Sequence, residues 1–407
     1  MASSIVNLAE LETKMSYQLQ NSHPYRGSNN VQVGYVQPPV DEFTNTNNKM
    51  FKLKLPGHGI LNGSSMVFDC DIKVTGGTGL LNRNASSAIS YIEFYIGSKR
   101  IQRINRYGVI KTLWDNLDMT QDQLNSVARL GEGIPAWSTT GTAQHYTLTL
   151  LKNHILYDKI PLDRLGQVEI WIQFDNNLAN YTGGTATAIS VTNPRLYFSR
   201  IVDQKTINKY NGKMSIHYID WDHTDTSFAS TAGSSVSKTF KYDVNYTSLK
   251  GFLWYSRLDT DIVDVTKADK YDSLMQRNAM VNYKFRFNSR DITETFVVGS
   301  SYPTLAFHNL MVLRGRFRDG TRESHTYPSF FTANATTGYP GNQFIIGHLF
   351  AAHRHTMSGL DTSKNNSGLE FVTQITTSAA QTATGWLMYD KIFTIGSGKN
   401  PVAYDQA

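Results

Sequence analysis

Tyr91-Ile-Glu-Phe-Tyr-Ile-Gly-Ser-Lys-Arg-Ile101 alternates apolar and polar residues up to a Gly-Ser pair and then starts again. A period of two puts Ile92, Phe94 and Ile96 on one face and Glu93 and Tyr95 on the other, the pattern of a strand with one buried face. Gly97-Ser98 is the kind of two-residue connection that closes a tight hairpin. The same alternation lies on either side. Phe51, Leu53 and Leu55 alternate with Lys52 and Lys54, and Val168, Ile170, Ile172 and Phe174 alternate with Glu169, Trp171 and Gln173. Between these strands the spacing predicts a helical insertion over residues 107–117 and 121–130, the second part opening with Thr120 and Gln123 at capping distance.

The second half of the chain repeats this layout. Phe51-Lys-Leu-Lys-Leu55 matches Phe240-Lys-Tyr-Asp-Val244 at a displacement of 189 residues, and Phe94-Tyr-Ile-Gly-Ser-Lys-Arg-Ile101 matches Phe285-Arg-Phe-Asn-Ser-Arg-Asp-Ile292 at 191. Leu113-Trp-Asp-Asn-Leu117 matches Ala306-Phe-His-Asn-Leu310 at 193, Val168–Phe174 matches Leu369–Ile375 at 201, and Leu196 and Leu387 are again 191 apart. A common order with a slowly drifting offset, through a helix as well as strands, points to one fold written twice; two unrelated β domains are the alternative. A period near 190 is too long for a solenoid repeat or propeller blade. Several short strands with turn signals and one helix per unit suit a sandwich, so the fold class read here is all-β.

Length and composition agree. A chain of 407 residues fits two domains, and 18 % charged with 12 % aromatic residues suits strands, turns and large polar interfaces. A net charge of +6 is far from an arginine-rich packaging arm, so no sequence-specific nucleic-acid binding is expected. The single cysteine, Cys70, lies in the alternation Met66, Phe68, Cys70, Ile72, Val74 and reads as a small core residue. The start Met1-Ala-Ser-Ser-Ile-Val-Asn lacks the basic and apolar parts of a secretion signal, so synthesis in the cytoplasm is expected. On that reading the Asn-x-Ser/Thr triplets at Asn62, Asn84, Asn180, Asn245, Asn334 and Asn365 carry no glycan.

Residues 7–20 read as a helix with one apolar stripe, Leu8, Leu11, Met15 and Leu19, followed by an extended stretch through Pro38 and Pro39. The expected organisation is an amino-terminal helix and arm over 1–44, a first sandwich over 45–199, a linker over 200–235, and a second sandwich with a carboxy-terminal tail over 236–407.

A duplicated sandwich of this length, with a helix in one connection of each copy and a helical arm, resembles the double jelly-roll major capsid proteins of tailless icosahedral viruses, the lineage of adenovirus hexon and of phages with an internal membrane. The hairpin 91–101, the helix with Trp114-Asp-Asn-Leu and Ile160-Pro-Leu162 before Val168–Phe174 carry the likeness. It implies two tandem jelly rolls and a homotrimer forming a pseudo-hexagonal capsomer. It also implies neighbouring capsomers, penton and minor capsid proteins and an internal membrane as candidate partners, and a place in the virion. The apolar stripe would then face neighbouring capsomers or a membrane. Relatives with towers carry long outer loops; here those connections are short, and a flat outer surface is expected.

Chemistry-bearing clusters are few. His348, His353 and His355 lie close together, and His353 and His355 could share one strand face, but no third ligand lies at useful spacing for zinc. Asp259, Asp261, Asp264, Asp269 and Asp272 lack the glycine and terminal glutamate of an EF-hand. Arg314, Arg316, Arg318 and Arg322 form a basic cluster that suits an acidic face of a neighbouring subunit. No nucleotide, hydrolase or metalloprotease motif occurs, so no catalytic role, metal or cofactor is expected. The competing reading is a two-domain carbohydrate-binding or fibre-associated module, but Trp171, Trp221 and Trp254 are not clustered in sequence and argue for no sugar platform.

Overall fold

The alternating stretches are strands in the computed structural model, which describes residues 31–76, 80–81, 84–118, 141–183, 186–203, 207–208, 212–260, 280–298, 304–314, 344–352, 357–363, 368–377, 379–396 and 403–406. The first half contains eight main strands: β1 (Val31–Val36), β2 (Phe51–Lys54), β3 (Ile60–Thr75), β4 (Ile89–Ile96), β5 (Lys99–Asn105), β6 (Gln144–Thr149), β7 (Val168–Phe174) and β8 (Ala188–Ile201). They form two antiparallel sheets, ordered β1-β8-β3-β6 and β2-β7-β4-β5. The second half contains β9 (Met214–Phe228), β10 (Val236–Tyr242), β11 (Leu249–Leu258), β12 (Asn282–Phe287), β13 (Arg290–Asp291), β14 (Ile346–Leu349), β15 (Leu369–Ile375) and β16 (Gln381–Ile395). Its sheets are ordered β9-β16-β11-β14 and β10-β15-β12-β13. Adding eight to each label of the first pair of sheets gives the second pair, so one strand order occurs twice. Among the described residues, no strand of one half pairs with a strand of the other.

Register tests the repeat residue by residue. Ile170 lies between Leu53 and Phe94, and Phe371 lies between Phe240 and Phe285. The matches of Phe94 to Phe285 and of β7 to β15 therefore hold in register. The first match is two residues out: Leu53, not Phe51, is the counterpart of Phe240. A slip of two preserves the alternation, which is why the sequence pattern could not detect it. The hairpins coincide, with Ile96 opposite Lys99 and Phe287 opposite Arg290.

Strand pairing runs across two of the expected boundaries. The stretch read as arm through residue 44 contributes β1 and the short strand Glu42–Thr44, both paired to β8. The stretch read as linker contains β9, paired with β16 along its whole length. Each segment supplies the first described strand of its sandwich, and backbone pairing binds it to the long strand β8 or β16. The expected helix over 7–20 and the expected second helix over 121–130 lie outside the described residues.

The cores are aromatic. Phe68 of β3 meets Phe51 and Phe174 of the facing sheet at ring distances of 6.2 Å. In the second sandwich Phe371 meets Phe240, Phe252, Trp254, Tyr283 and Phe285. Burying each such ring contributes roughly 1.5–3 kcal/mol before entropy is counted. Cys70 is fully buried, and burial raises its thiol well above the ordinary value, consistent with a packing role.

Each sandwich carries a helix after its fifth strand: α1 (Tyr107–Asp118) and α2 (Thr304–Arg314). α1 turns out of β5 at Arg106, whose φ of 47° is in the left-handed region. It buries Ile110, Leu113, Trp114 and Leu117. Gly108 lets its first turn approach the segment Ala85–Ala88, because a Cβ there would come within 2.5 Å of the Ser87 carbonyl oxygen.

Candidate functional site

For a chain made of two copies of one fold, the site of interest is where the copies meet. β5 and α1 of the first sandwich lie against β9 of the second. Gln102 is the centre of this junction. Its Nε2 donates to the Ile219 carbonyl at 2.9 Å and to Asp220 Oδ1 at 3.2 Å, while its Oε1 accepts from the Ile155 amide at 2.9 Å. Ile219 N–H in turn donates to the Asn153 carbonyl at 2.9 Å. A bulge between Phe94 and Tyr95 breaks the alternation of β5, so Ile101 and Gln102 are buried in succession.

Apolar and ionic contacts flank these bonds. Trp114 of α1 meets Trp221 of β9 edge to face, with ring centroids 5.3 Å apart. Arg106 pairs with Asp225 at 2.5 Å. Arg164, itself buried, donates to the carbonyls of Gly212, at 2.6 Å, and Gly396. Burial lowers its guanidinium pKa. Asp220 also receives Lys391 at 3.1 Å and the Tyr389 hydroxyl at 3.3 Å. Its burial raises the carboxyl, opposed by Lys391 and Gln102. The junction thus combines buried hydrogen bonds, which fix geometry, with an aromatic pair that excludes water.

The outward faces of the first sandwich are polar and aromatic. Trp171 and Tyr95 lie 4.1 Å apart on one sheet, with Lys52 Nζ 4.0 Å above the indole. Glu93 accepts from Arg100, Arg103 and Tyr95. On the other sheet His145 reaches Asp69 through Nε2 and Asp71 through Nδ1, both at 2.8 Å. Two carboxylates on one ring require both nitrogens to donate, and the imidazole pKa is raised, first by the Asp71 hydrogen bond.

No protein-family model and no curated protein matches the sequence. The likeness is in three dimensions. A chain of the PBCV-1 virus capsid superposes with a TM-score of 0.65 at 12 % identity, covering 95 % of this chain and 99 % of that one. The mavirus major capsid protein gives 0.56 at 10 % identity over 92 % and 90 % of the two chains. The Faustovirus major capsid protein gives 0.57 at 8 % over 89 % and 90 %. The fold is the double jelly roll.

Within the double jelly roll the candidates from sequence fall in different places. His348 is enclosed by the rings of Phe285, Phe296 and Phe350, and burial pushes its pKa down to about 4, making it a neutral core histidine. His353 and His355 lie outside the described residues. Asp259 accepts from the Thr382 hydroxyl at 2.7 Å, whereas Asp261, Asp264, Asp269 and Asp272 lie outside. Among the described residues, no three His, Cys, Asp or Glu side chains gather as a metal would require. Arg314 is buried at the end of α2, while Arg316, Arg318 and Arg322, like Leu8, Leu11, Met15 and Leu19, are outside. Trp254 is core, Trp221 belongs to the junction and Trp171 to an outward face, so the three form no platform. Sequence reading missed Gln102, Arg164 and Asp220 because a polar residue buried between domains breaks no local pattern.

Proposed function

We propose that this chain is the structural subunit of an icosahedral viral capsid, has no catalytic role, and works as a homotrimer whose six jelly rolls form a pseudo-hexagonal capsomer. The observation that carries this reading is the identical strand order of the two halves, in a fold shared along nearly the full length with the PBCV-1 capsid chain. A threefold axis acting on a two-sandwich subunit produces six similar sides, the geometry a hexagonal lattice requires. The domains are residues 31–201 and 214–406, joined by a short connection. Neighbouring capsomers, penton and minor capsid proteins and an internal membrane are the further partners. The stripe Leu8, Leu11, Met15, Leu19 and the arginines Arg316, Arg318 and Arg322 of the basic cluster serve contacts to them, Arg314 being buried within its own sandwich. Light scattering on the purified chain is expected to give three times the 45.7 kDa chain mass, with hexagonal outlines in negative-stain micrographs. A monomer that binds glycans would instead support a carbohydrate-recognising module.

A further inference from the structure

Each sandwich stacks one histidine on the same phenylalanine of its repeat. In the first, the His154 ring lies on Phe94 of β4 with centroids 4.7 Å apart and an interplanar angle of 9°, and Tyr157 meets it edge-on at 5.8 Å. In the second, His348 lies 5.0 Å from Phe285, the counterpart of Phe94. His154 is buried, with 2 % of its surface exposed. Its Nδ1 accepts the Leu156 amide at 3.1 Å, so the proton of the neutral ring is on Nε2, which has no hydrogen-bond partner among the described residues.

The two histidines differ in what is tied to them. His348 is a strand residue of β14, paired with Phe252. His154 lies in the connection after β6, between two residues that reach the second sandwich. The Asn153 carbonyl accepts the Ile219 amide at 2.9 Å. On the other side the Ile155 amide donates to Gln102 Oε1, which turns Gln102 Nε2 toward the Ile219 carbonyl. Ile219 of β9 is thus held at its N–H and its C=O through the two residues that flank the imidazole.

A second proton is poorly accommodated in this site. On Nδ1 it would face the Leu156 N–H, donor against donor, and its charge would be buried against the Phe94 ring. The nearby carboxylates are engaged elsewhere. Glu93 of β4 is paired with Arg100 and Arg103 on the outward face, and Asp220, beyond Gln102, is paired with Lys391.

We infer that His154 is an acid-released latch between the two sandwiches: a second proton on its imidazole expels residues 153–156 from the first sandwich, and the hydrogen bonds of Asn153 and Gln102 to Ile219 open with them. The latch works within one chain and is independent of the capsid reading. Burial alone pushes the seated imidazole from its ordinary 6.5 down to about 3, and the expelled ring regains the ordinary value. The closed form is therefore fully favoured above pH 6.5 and loses ground about tenfold per unit as pH falls from there toward 3.

Hydrogen–deuterium exchange on the full-length chain, read by mass spectrometry at pH 7 and pH 4.5 and corrected for intrinsic rates, tests the latch. Protection of the Ile155 and Ile219 amides is expected to fall about 80-fold between the two conditions, as one group with an open-state pKa of 6.5 dictates. His154→Phe keeps a ring on Phe94, and His154→Asn keeps an acceptor for the Leu156 amide. Neither titrates, so in both variants the fall should stay below about threefold. The Phe371 amide, in the core of the second sandwich, should be equally protected in all three chains. Constant protection in the wild type, or an equal fall in wild type and variants, overturns the inference. So does a fall at Ile155 with Ile219 still protected, which would mean that the connection opens without releasing β9. Loss at Phe371 as well would show unfolding of a whole sandwich and also count against a local latch. Should His154→Phe fail to fold, His154→Asn carries the comparison alone.

Discussion

Asp390 and Lys250 form an ion pair at 2.6 Å with both side chains fully buried. The carboxylate also accepts from His217 Nε2 and the Ser248 hydroxyl, each at 2.7 Å. Burial by itself raises the Asp390 carboxyl, but hydrogen bonds from His217, Lys250 and Ser248, with the charge of Lys250, outweigh it and hold the group below its ordinary 3.8. A carboxyl whose pKa falls on folding contributes stability that is present above the unfolded value and lost as pH drops through the folded one. Asp390→Asn removes that contribution and leaves Lys250 buried without a charge partner, which costs about 3–5 kcal/mol. Urea unfolding should show this deficit at pH 7 and a smaller one near pH 3, where the wild type has begun to lose the same contribution. A deficit independent of pH would mean that Asp390 acts through packing alone.

Among elements, the two hairpins solve one problem with different residues. Gly97 takes φ 63°, while at the matched position Asn288 and Ser289 both lie in the left-handed region, at φ 53° and 60°. Two successive left-handed residues fit the tight turn whose twist suits paired strands, and Asn followed by Gly is its preferred sequence. Ser289→Gly should therefore raise stability by about 0.5–1 kcal/mol, measured as an upward shift of the thermal midpoint; a downward shift would indicate that the serine side chain contributes elsewhere. The first hairpin was legible in sequence because Gly97-Ser98 ends a run of alternating apolar and polar residues, and the second through its match to the first. β1 and β9 were not. In β1 the apolar residues Val31, Val33 and Tyr35 point outward, and the intervening positions include Gln32 and Gly34, so the alternation signals the wrong face. In β9 the outward Ile219 and Trp221 face the other sandwich, which obscures the contrast with Met214, Ile216 and Tyr218. Local periodicity records burial within a sandwich and cannot separate it from burial between two.

At the scale of the whole molecule, the described strands of all four sheets lie within residues 31–406, and β1 is the edge strand of its sheet in the first sandwich. Residues 1–30 are expected to be dispensable for folding, and the proposed role of the stripe Leu8, Leu11, Met15 and Leu19 is in contacts made when capsomers meet. Deleting residues 1–30 is expected to leave the number of chains in the solution assembly and the thermal midpoint unchanged and to lower the yield of closed particles seen by electron microscopy. If the shortened chain unfolds or loses its trimer, the stripe is packed against a sandwich of its own chain. Particles formed at full yield would remove the amino terminus from assembly altogether.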